Sequence, residues 1–237
     1  AGLFFGILAP TTKIAFNLGV AVSLAIILRY FVAAILISPL IPFQKNLISK
    51  YKKNFSDFLL ITFGSILLTS GLLLAVKYID VSLAILIFCI YPILVLCFSI
   101  IIDKEKIYAG IKILFLTTFF GLFFVLGPSF DSLNFFGCLC ALVAAIGATT
   151  MIVSNQKMSN KGISAIQINI FINIVNLIFF FTVLFFFFSI NFSISIKSFL
   201  IILIPSFSYA IALFLQLLAI PRIGQSNTAL FLYLEPV

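Results

Sequence analysis

The chain has 237 residues, of which 64% are hydrophobic and 8% are charged, and its formal net charge is +8. Such a chain has too few polar side chains to cover a water-soluble core, which excludes a soluble globular domain. Charge-free apolar runs of bilayer length instead predict an all-α polytopic membrane protein. The strands of a membrane β-barrel would alternate apolar and polar residues, and no segment of this sequence does so.

Nine apolar segments are predicted to cross the membrane. In chain order they are Gly2–Phe16, Val20–Ile41, Phe58–Val76, Val81–Ile102, Ile107–Leu126, Phe135–Asn155, Ile163–Ser189, Phe199–Ala219 and Gln225–Val237. The first and last segments are short, and the chain begins and stops within apolar sequence. We therefore expect a piece of a ten-span protein that lacks part of span one, the rest of span nine and all of span ten.

An internal repeat links the two halves of the chain. Residues 61–93 match residues 205–237 at a fixed offset of 144, with eight of the 33 positions identical. The matched pairs include Ala75/Ala219, Ser82/Ser226 and Pro92/Pro236. Because five predicted crossings separate the copies, the second copy is inserted with the opposite polarity. We therefore predict a ten-helix bundle of two inverted five-helix repeats, residues 1–130 and 131–237, truncated here to nine spans.

The basic residues predict the orientation of the chain in the membrane. Ten of the 14 lysines and arginines fall on one face of the predicted bundle, namely Lys45, Lys50, Lys52, Lys53, Lys104, Lys106, Lys112, Lys157, Lys161 and Arg222. Positive charge accumulates on the cytoplasmic side, which predicts a cytoplasmic amino terminus. Frequent Phe, Ile, Lys and Asn suggest an AT-rich bacterial genome, and hence a plasma (inner) membrane. The charges form no basic stripe, so we expect no nucleic-acid partner.

Several short motifs occur at equivalent places in the two halves. The first half contains Leu74-Ala75-Val76-Lys77-Tyr78, Ser82-Leu83-Ala84, Tyr91-Pro92 and Asp103-Lys104-Glu105. The second half contains Leu217-Leu218-Ala219, Ser226-Asn227-Thr228-Ala229 and Tyr233-Leu234-Glu235-Pro236-Val237. Together with Arg29-Tyr30 in span two, these motifs resemble the two repeats of the EamA family within the drug/metabolite transporter superfamily. The resemblance implies a central cavity lined mainly by helices one, three, four, six, eight and nine, and alternating-access transport of small metabolites.

Two prolines are predicted to interrupt spans four and nine. Pro92 and Pro236 each remove a backbone hydrogen bond, and a freed carbonyl is tolerated in a membrane only where it faces protein or water. The breaks therefore mark either the solute pathway or simple kinks. Tyr91 and Glu235 directly precede them, and Tyr233 belongs to the same motif. A carboxylate inside the membrane, such as Glu235, must face a wet cavity, pair with a base or stay protonated.

Two basic residues lie within predicted spans. Arg29 is too deep in span two to reach the surface easily, and it can either pair with Glu235 or clamp an anionic group of a substrate. Lys13, near the outer end of span one, is expected to extend to the lipid headgroups.

Polar side chains on spans seven and eight complete the candidate set. Asn169 corresponds to Arg29 at an offset of 140, and Asn169, Asn173 and Asn176 share one helix face. This amide stripe can line a polar path or form interhelical hydrogen bonds. Tyr209 and Gln216 also share a face, where they can contact a solute or pack. The small residues of span six, Ala141, Ala144, Ala145, Gly147 and Ala148, predict a close approach by a neighbouring helix.

The sequence favours a transporter over an enzyme. The chain has no histidine, and it contains no phosphate-binding loop and no carboxylate pair within a span, so we expect no catalytic site, metal or cofactor. The leading hypothesis is a secondary transporter that exports amino-acid-like solutes or related small metabolites across the lipid bilayer. A lipid or glycolipid flippase and a non-transporting membrane scaffold are the alternatives. The oligomeric state stays open, a homodimer being one alternative.

Overall fold

A computed structural model describes residues 1–43, 47–101, 109–127, 134–187 and 195–235, without the side chains of residues 109 and 187. These residues form helices and connections and contain no strand. The α-helices are α1 (Gly2–Asn17), α2 (Val22–Ile37), α3 (Leu47–Lys53), α4 (Phe55–Tyr78), α5 (Val81–Phe88), α6 (Tyr91–Ile101), α7 (Ala109–Leu126), α8 (Phe135–Asn160), α9 (Ala165–Phe187), α10 (Ile196–Ile223) and α11 (Gln225–Leu232). A short 3-10 helix, Ser38–Leu40, extends α2. The predicted all-α polytopic architecture is confirmed.

Six helical stretches within the described residues are long and apolar enough to cross a membrane. They are Val22–Leu40, Phe55–Tyr78, Val81–Ile101, Phe135–Asn160, Ala165–Phe186 and Ile196–Ile223. The other three predicted spans correspond to the shorter helices α1, α7 and α11. The sequence placed most helix ends within a few residues, but α4, α8 and α10 extend beyond their apolar runs into polar sequence at the membrane surface.

Span four is divided into α5 and α6 by a break at Cys89 and Ile90. Pro92 lies in the first turn of α6, where a missing N–H is tolerated. The helix α11 occupies the equivalent place in the second half, since adding 144 to the limits of α5 gives its limits. A turn at residues 233–235 follows α11. The repeat found in the sequence is therefore also present in the helix limits.

Equivalent helices run in opposite directions through the bundle. Asp57, in the first turn of α4, forms ion pairs with Lys157 and Lys161 at the carboxyl end of α8. At the other end of α4, Lys13 Nζ donates to the carbonyl oxygen of Val76 at 2.7 Å. The start of α10 lies at that same end, because Ser198 Oγ donates to the carbonyl oxygen of Leu18. We name these the Asp57 end and the Lys13 end of the bundle.

The packing of the helices follows the same inverted symmetry. The helix α4 packs along α8, and α1 packs along α10. These two contacts are equivalent, because α1 of the first half corresponds to α8 of the second, and α4 corresponds to α10. Contacts of α2 with α10 correspond in the same way to contacts of α9 with α4, and α2 and α9 pack on each other. These contacts are the ones expected of two inverted repeats, residues 1–130 and 131–237, which stay a prediction.

The closest helix pair is α4 with α8, and glycine makes the contact. A Cβ atom at Gly71 would lie 2.6 Å from the carbonyl oxygen of Cys140, and one at Gly64 would lie 2.9 Å from that of Gly147. A Cβ atom at Gly147 would in turn meet the backbone of α4 at Leu68 and Gly64. The close approach predicted from the small residues of span six is confirmed, and α4 is the helix that approaches.

The prediction for Lys13 is wrong. Its ammonium group donates to the carbonyl oxygens of Val76 and Ile79 rather than extending to the headgroups. Val76 belongs to the last turn of α4 and Ile79 directly follows it, and the carbonyls at such a helix end lack intrahelical donors. A cation at the carboxyl end of a helix also interacts favourably with the helix dipole. Lys13 therefore stabilises the end of α4 and joins it to α1.

The Asp57 end is tied together by polar contacts between the two halves. Lys50 Nζ donates to the carbonyl oxygen of Gly162 at 3.0 Å and to Gln167 Oε1 at 3.2 Å. Tyr51 Oη donates to the carbonyl oxygen of Gln167 at 3.0 Å. Burial raises the pKa of Tyr51 to about 12, so this hydroxyl remains a donor at physiological pH. These bonds hold α3 against the turn between α8 and α9.

Candidate functional site

A small cavity, with a volume of about 30 Å³, lies at the centre of the bundle. It is lined by residues of both halves, namely Phe5, Leu8, Arg29, Leu68, Thr69, Leu72, Phe88, Tyr91, Ala148, Tyr209, Gln216, Leu232 and Glu235. These residues come from α1, α2, α4, α5, α6, α8, α10, α11 and the turn after α11. Five of the nine residues proposed from the sequence therefore meet at one cavity: Arg29, Tyr91, Tyr209, Gln216 and Glu235.

Residues at equivalent positions of the two halves line the cavity. Three pairs of its lining residues are related by the offset of 144, namely Leu72/Gln216, Phe88/Leu232 and Tyr91/Glu235. In the first pair the side chain from the first half is apolar and that from the second half is polar. In the third pair a phenol is opposed to a carboxylate. The two halves thus build one pocket, and each contributes three polar side chains: Arg29, Thr69 and Tyr91 from the first half, and Tyr209, Gln216 and Glu235 from the second.

Arg29 is the cation of the cavity. Its side chain is 5% exposed, and its guanidinium carbon lies 5.0 Å from the centre of the Tyr209 ring, a cation–π contact. Although Arg29 and Glu235 line the same cavity, no ion pair joins them, and the guanidinium has no hydrogen-bond partner among the described residues. The pairing proposed as one alternative for Arg29 is therefore not formed here. The donors of the guanidinium remain available to a bound group.

Glu235 lies in the turn that follows α11, at the middle of the bundle. Its backbone N–H donates to the carbonyl oxygen of Leu232 at 2.9 Å, which fixes the turn. The carbonyl group of Glu235 lies against Gly6 of α1, so closely that a side chain at position 6 would collide with it. Among the residues that line the described cavity, Glu235 carries the only carboxylate. An acid in such a place is tolerated because a cavity can hold water or a cationic ligand.

The break in span four opens onto the cavity. In a continuous helix the carbonyl oxygen of Phe88 would accept from the N–H of residue 92, which is Pro92 and has none. Thr149 Oγ1 donates to the carbonyl oxygen of Tyr91, in the first turn of α6, at 3.4 Å. Pro92 itself is buried but does not line the cavity. Pro236, the equivalent residue, lies outside the described residues.

Tyr209 and Gln216 place a ring and an amide on the same wall. The Tyr209 ring packs edge-on against Tyr30, with ring centres 5.7 Å apart, while its face contacts Arg29. Tyr30 is held in turn by a hydrogen bond of 2.7 Å from its hydroxyl to Thr69 Oγ1. Gln216 is 5% exposed, and its Oε1 has no hydrogen-bond partner in the described structure. This buried acceptor can receive a hydrogen bond from a solute.

Two of the residues proposed from the sequence lie elsewhere. Asn169 faces a separate apolar pocket between α2, α9 and α10, and it accepts a hydrogen bond from Asn173. Asn176 Nδ2 donates to Ser65 Oγ at 3.0 Å, which joins α9 to α4. The amide stripe thus takes part in helix packing, one of its two interpretations. Tyr233 is 2% exposed and packs against Phe115 of α7.

The sequence interpretation missed most of the apolar lining. Phe5, Leu8 and Leu68 are ordinary residues of apolar helices, and no local pattern distinguishes them from lipid-facing neighbours. The offset of 144 was a usable signal for others, because it relates Leu232 to Phe88 and Leu72 to Gln216. Thr69 also gave a signal, since a hydroxyl within a span commonly faces protein.

The lining has the chemistry to bind a small solute through groups of opposite character once the helices part, since the cavity of about 30 Å³ has room only for water. A cation and a carboxylate line the same pocket, with an amide and a hydroxyl between apolar and aromatic walls. Such a site favours a solute that carries a carboxylate or another anion, an amine or another cation, or both. No group of three or more His, Cys, Asp or Glu residues that could hold a metal occurs in the part of the chain that the structure describes.

Comparisons with known proteins agree with this architecture. The sequence profile of the EamA-like transporter family matches residues 1–127, more than half of the chain. Among solved structures, 19 chains match. One crystal structure superposes with a TM-score of 0.77 at 15% sequence identity, over 99% of this chain and 83% of the other. At that identity the likeness concerns the fold alone. The comparison with curated proteins gives no match.

Proposed function

The chain belongs to the EamA-like transporter family, and from this premise we propose that it moves small amino-acid-like solutes or related metabolites across the plasma membrane, in the direction of export. The observation that carries the proposal is the central cavity, where Arg29 and Glu235 face the same space without pairing to each other. A zwitterionic or carboxylated metabolite would satisfy the unpaired guanidinium. An amine on the same solute, or a proton, would satisfy the carboxylate.

Transport by alternating access is supported by the position of the cavity. It lies at the break of span four, where α5 and α6 meet as short segments rather than as one continuous helix, and beside the turn at residues 233–235 that follows α11. Short helices joined by turns can tilt without stretching hydrogen bonds within a long helix. Inverted repeats supply two related arrangements, each open at one end of the bundle. The solute site would then be exposed to the two sides in turn.

The experiment that tests the function is a metabolite screen in proteoliposomes, with and without a pH gradient. We expect saturable flux of at least one amino acid or related small acid. We expect Glu235→Gln to abolish the response of that flux to the pH gradient, because the amide keeps the shape of the side chain but cannot exchange a proton. Insertion and thermal stability should be retained.

A matched control makes the same chemical change outside the cavity. Asp80→Asn, at the start of α5, should leave the response to the pH gradient intact. Unchanged coupling in Glu235→Gln would contradict the role of that carboxylate. Absence of flux for every soluble metabolite would contradict the transport proposal and favour a lipid substrate or a scaffold.

A further inference from the structure

A buried polar cluster joins α6 to α11 at the Asp57 end of the bundle. Gln225 Nε2 donates to Ser99 Oγ at 2.7 Å, and Ser226 Oγ donates to the same oxygen at 3.0 Å. Ser99 is fully buried, Gln225 is 1% exposed and Ser226 is 9% exposed. We call these three residues the Ser99 cluster. None of them lines the central cavity.

The two helices that carry the Ser99 cluster also reach the cavity. Tyr91 lines the cavity at the start of α6, and Ser99 lies eight residues further, about 12 Å along the helix. Leu232 lines the cavity at the end of α11, and Gln225 lies seven residues before it, about 10 Å away. The helices α6 and α11 pack on each other between these points. Both helices therefore run side by side from the cavity to the Asp57 end.

Both helices are bounded by points where the backbone can turn. The break at Cys89 and Ile90 precedes α6, and the turn at residues 233–235 follows α11. Gly224 precedes α11 with a φ of +84°, a conformation that glycine adopts without strain. The helix α6 is therefore a short rigid segment that can tilt at its cavity end, while the far end of α11 stays joined to α10 through Gly224. Such a tilt would separate the far ends, where the Ser99 cluster lies.

We propose that the Ser99 cluster is a latch that holds α6 against α11 and keeps the cavity closed toward the Asp57 end. Its polar character suits a contact that must open and reform. Water that enters an opened path can replace the lost hydrogen bonds of a serine or a glutamine, whereas a parted apolar contact gains no such replacement. The inference rests on the proposed function for its purpose, since a transporter needs such an opening, but it makes a separate claim about access to the cavity.

Cys89 provides a native reporter of that access. It follows the cavity-lining Phe88 directly and is 1% exposed. In a background that carries Cys97→Ser, Cys138→Ser and Cys140→Ser, Cys89 is the remaining thiol. Its labelling by a membrane-impermeant maleimide, applied from the side of the Asp57 end, measures how often the path opens. We expect Ser99→Ala to raise this labelling rate about three- to eightfold, since each lost hydrogen bond shifts the equilibrium about threefold.

A buried serine outside the cluster gives the matched control. Ser206→Ala removes a hydroxyl that is 1% exposed and bonds to its own helix at Ile202, so the labelling rate should stay at the parent value. Ser226→Ala removes one of the two cluster bonds at a less buried position and should give a rise of about threefold. It also serves as the second variant should Ser99→Ala fail to fold.

The outcomes separate the latch from the transport function. An unchanged labelling rate in well-folded Ser99→Ala or Ser226→Ala overturns the latch, even where solute flux is observed. A raised rate in both supports the latch, even where the metabolite screen finds no flux. An equal rise in Ser206→Ala overturns it as well, because general loosening of the bundle would then be the cause.

Discussion

At the scale of single residues, the state of Arg29 is the most informative feature. A buried guanidinium without a hydrogen bond or an ion pair among the described residues is costly to keep, and its contact with the Tyr209 ring offsets only part of that cost. A fold that needed this side chain for assembly would be expected to supply it with acceptors. In this fold the N–H donors of the Arg29 guanidinium instead face a cavity, as expected of an arginine that binds a ligand.

This interpretation gives a prediction for Arg29→Gln. We expect the variant to insert normally and to retain its thermal stability in detergent, because no hydrogen bond is lost. Its affinity for a carboxylated solute should fall about 10- to 100-fold, which corresponds to a charge-assisted hydrogen-bond pair. Binding is measured by the shift in the thermal midpoint with solute concentration.

Two further variants make the test specific. Arg29→Lys keeps the charge but not the bidentate geometry, so its affinity should lie between those of the wild type and Arg29→Gln. Arg222→Gln, at the exposed carboxyl end of α10, should bind as the wild type does. Full affinity combined with lost stability in Arg29→Gln would assign the arginine to assembly instead.

The residues that the sequence could predict are those whose chemistry is unusual in a membrane. Arg29, Glu235 and Gln216 were conspicuous because charged and amide groups are rare in apolar spans, and all three line the cavity. Lys13 was equally conspicuous, but its partners are backbone carbonyls of α4, which no pattern of side chains could indicate. Asn169 was placed by an offset of 140 alone, and the amides of its helix found partners along and across the bundle instead of a path.

At the scale of helices, the contact between α4 and α8 depends on missing side chains. Gly64 and Gly71 of α4 interlock with the backbone of α8, and Gly147 of α8 lies against the backbone of α4. Backbone approach of this kind gains dispersion energy over the whole length of the two helices. The pair also carries Leu68, Leu72 and Ala148 into the cavity wall.

Replacement of Gly147 by alanine should therefore be destabilising. Intrinsic helix propensity alone would favour alanine over glycine by about 1 kcal/mol. The added methyl group would meet the backbone of α4 at Gly64 and Leu68, and we expect a net loss of about 1 to 3 kcal/mol from overpacking. The loss is measured as a lower thermal midpoint in detergent.

The control replaces a glycine in open space. A Cβ atom at Gly121 of α7 would have no neighbour within 4 Å, so Gly121→Ala should leave the midpoint unchanged or raise it. Equal midpoints for both variants would show that α4 and α8 are not held by backbone contact.

The sequence pattern was sufficient to predict where the helices lie along the chain, but not which helices pack on each other. The apolar runs located the spans, and the offset of 144 placed α11 opposite α5 with identical limits. The division of span four followed from Pro92. By contrast, α4 pairs with α8 and α1 pairs with α10, and these partners are far apart in the sequence. The helices are apolar on all sides, so no amphipathic pattern reveals which face of each helix is buried.

At the scale of the whole molecule, the two ends of the bundle differ in their charged contacts, and the Ser99 cluster lies at the more basic end. The Asp57 end carries Lys50, Lys157 and Lys161 in contacts that join the halves, and the Ser99 cluster lies at the same end. At the Lys13 end, Lys13 bonds to Val76 and Ile79 within the first half, and Ser198 Oγ donates across the halves to the carbonyl oxygen of Leu18. If the basic Asp57 end faces the cytoplasm, as the distribution of lysines predicts, the latch controls entry of solute from the cell.

Reporter cysteines can test both the orientation and the inversion of the repeats. In a background without native cysteines, Ser49→Cys and Asn160→Cys place one thiol from each half at the exposed Asp57 end, and Asn17→Cys and Lys197→Cys do so at the Lys13 end. We expect an impermeant maleimide to label the first two from the cytoplasmic side and the second two from the outside. The result follows from geometry, since α4 and α10 are equivalent helices that run in opposite directions.

Labelling of Ser49→Cys and Asn160→Cys from opposite sides would contradict the inverted fold. Labelling of all four with the sides exchanged would keep the fold, reverse the orientation and place the latch at the outer entrance of the cavity.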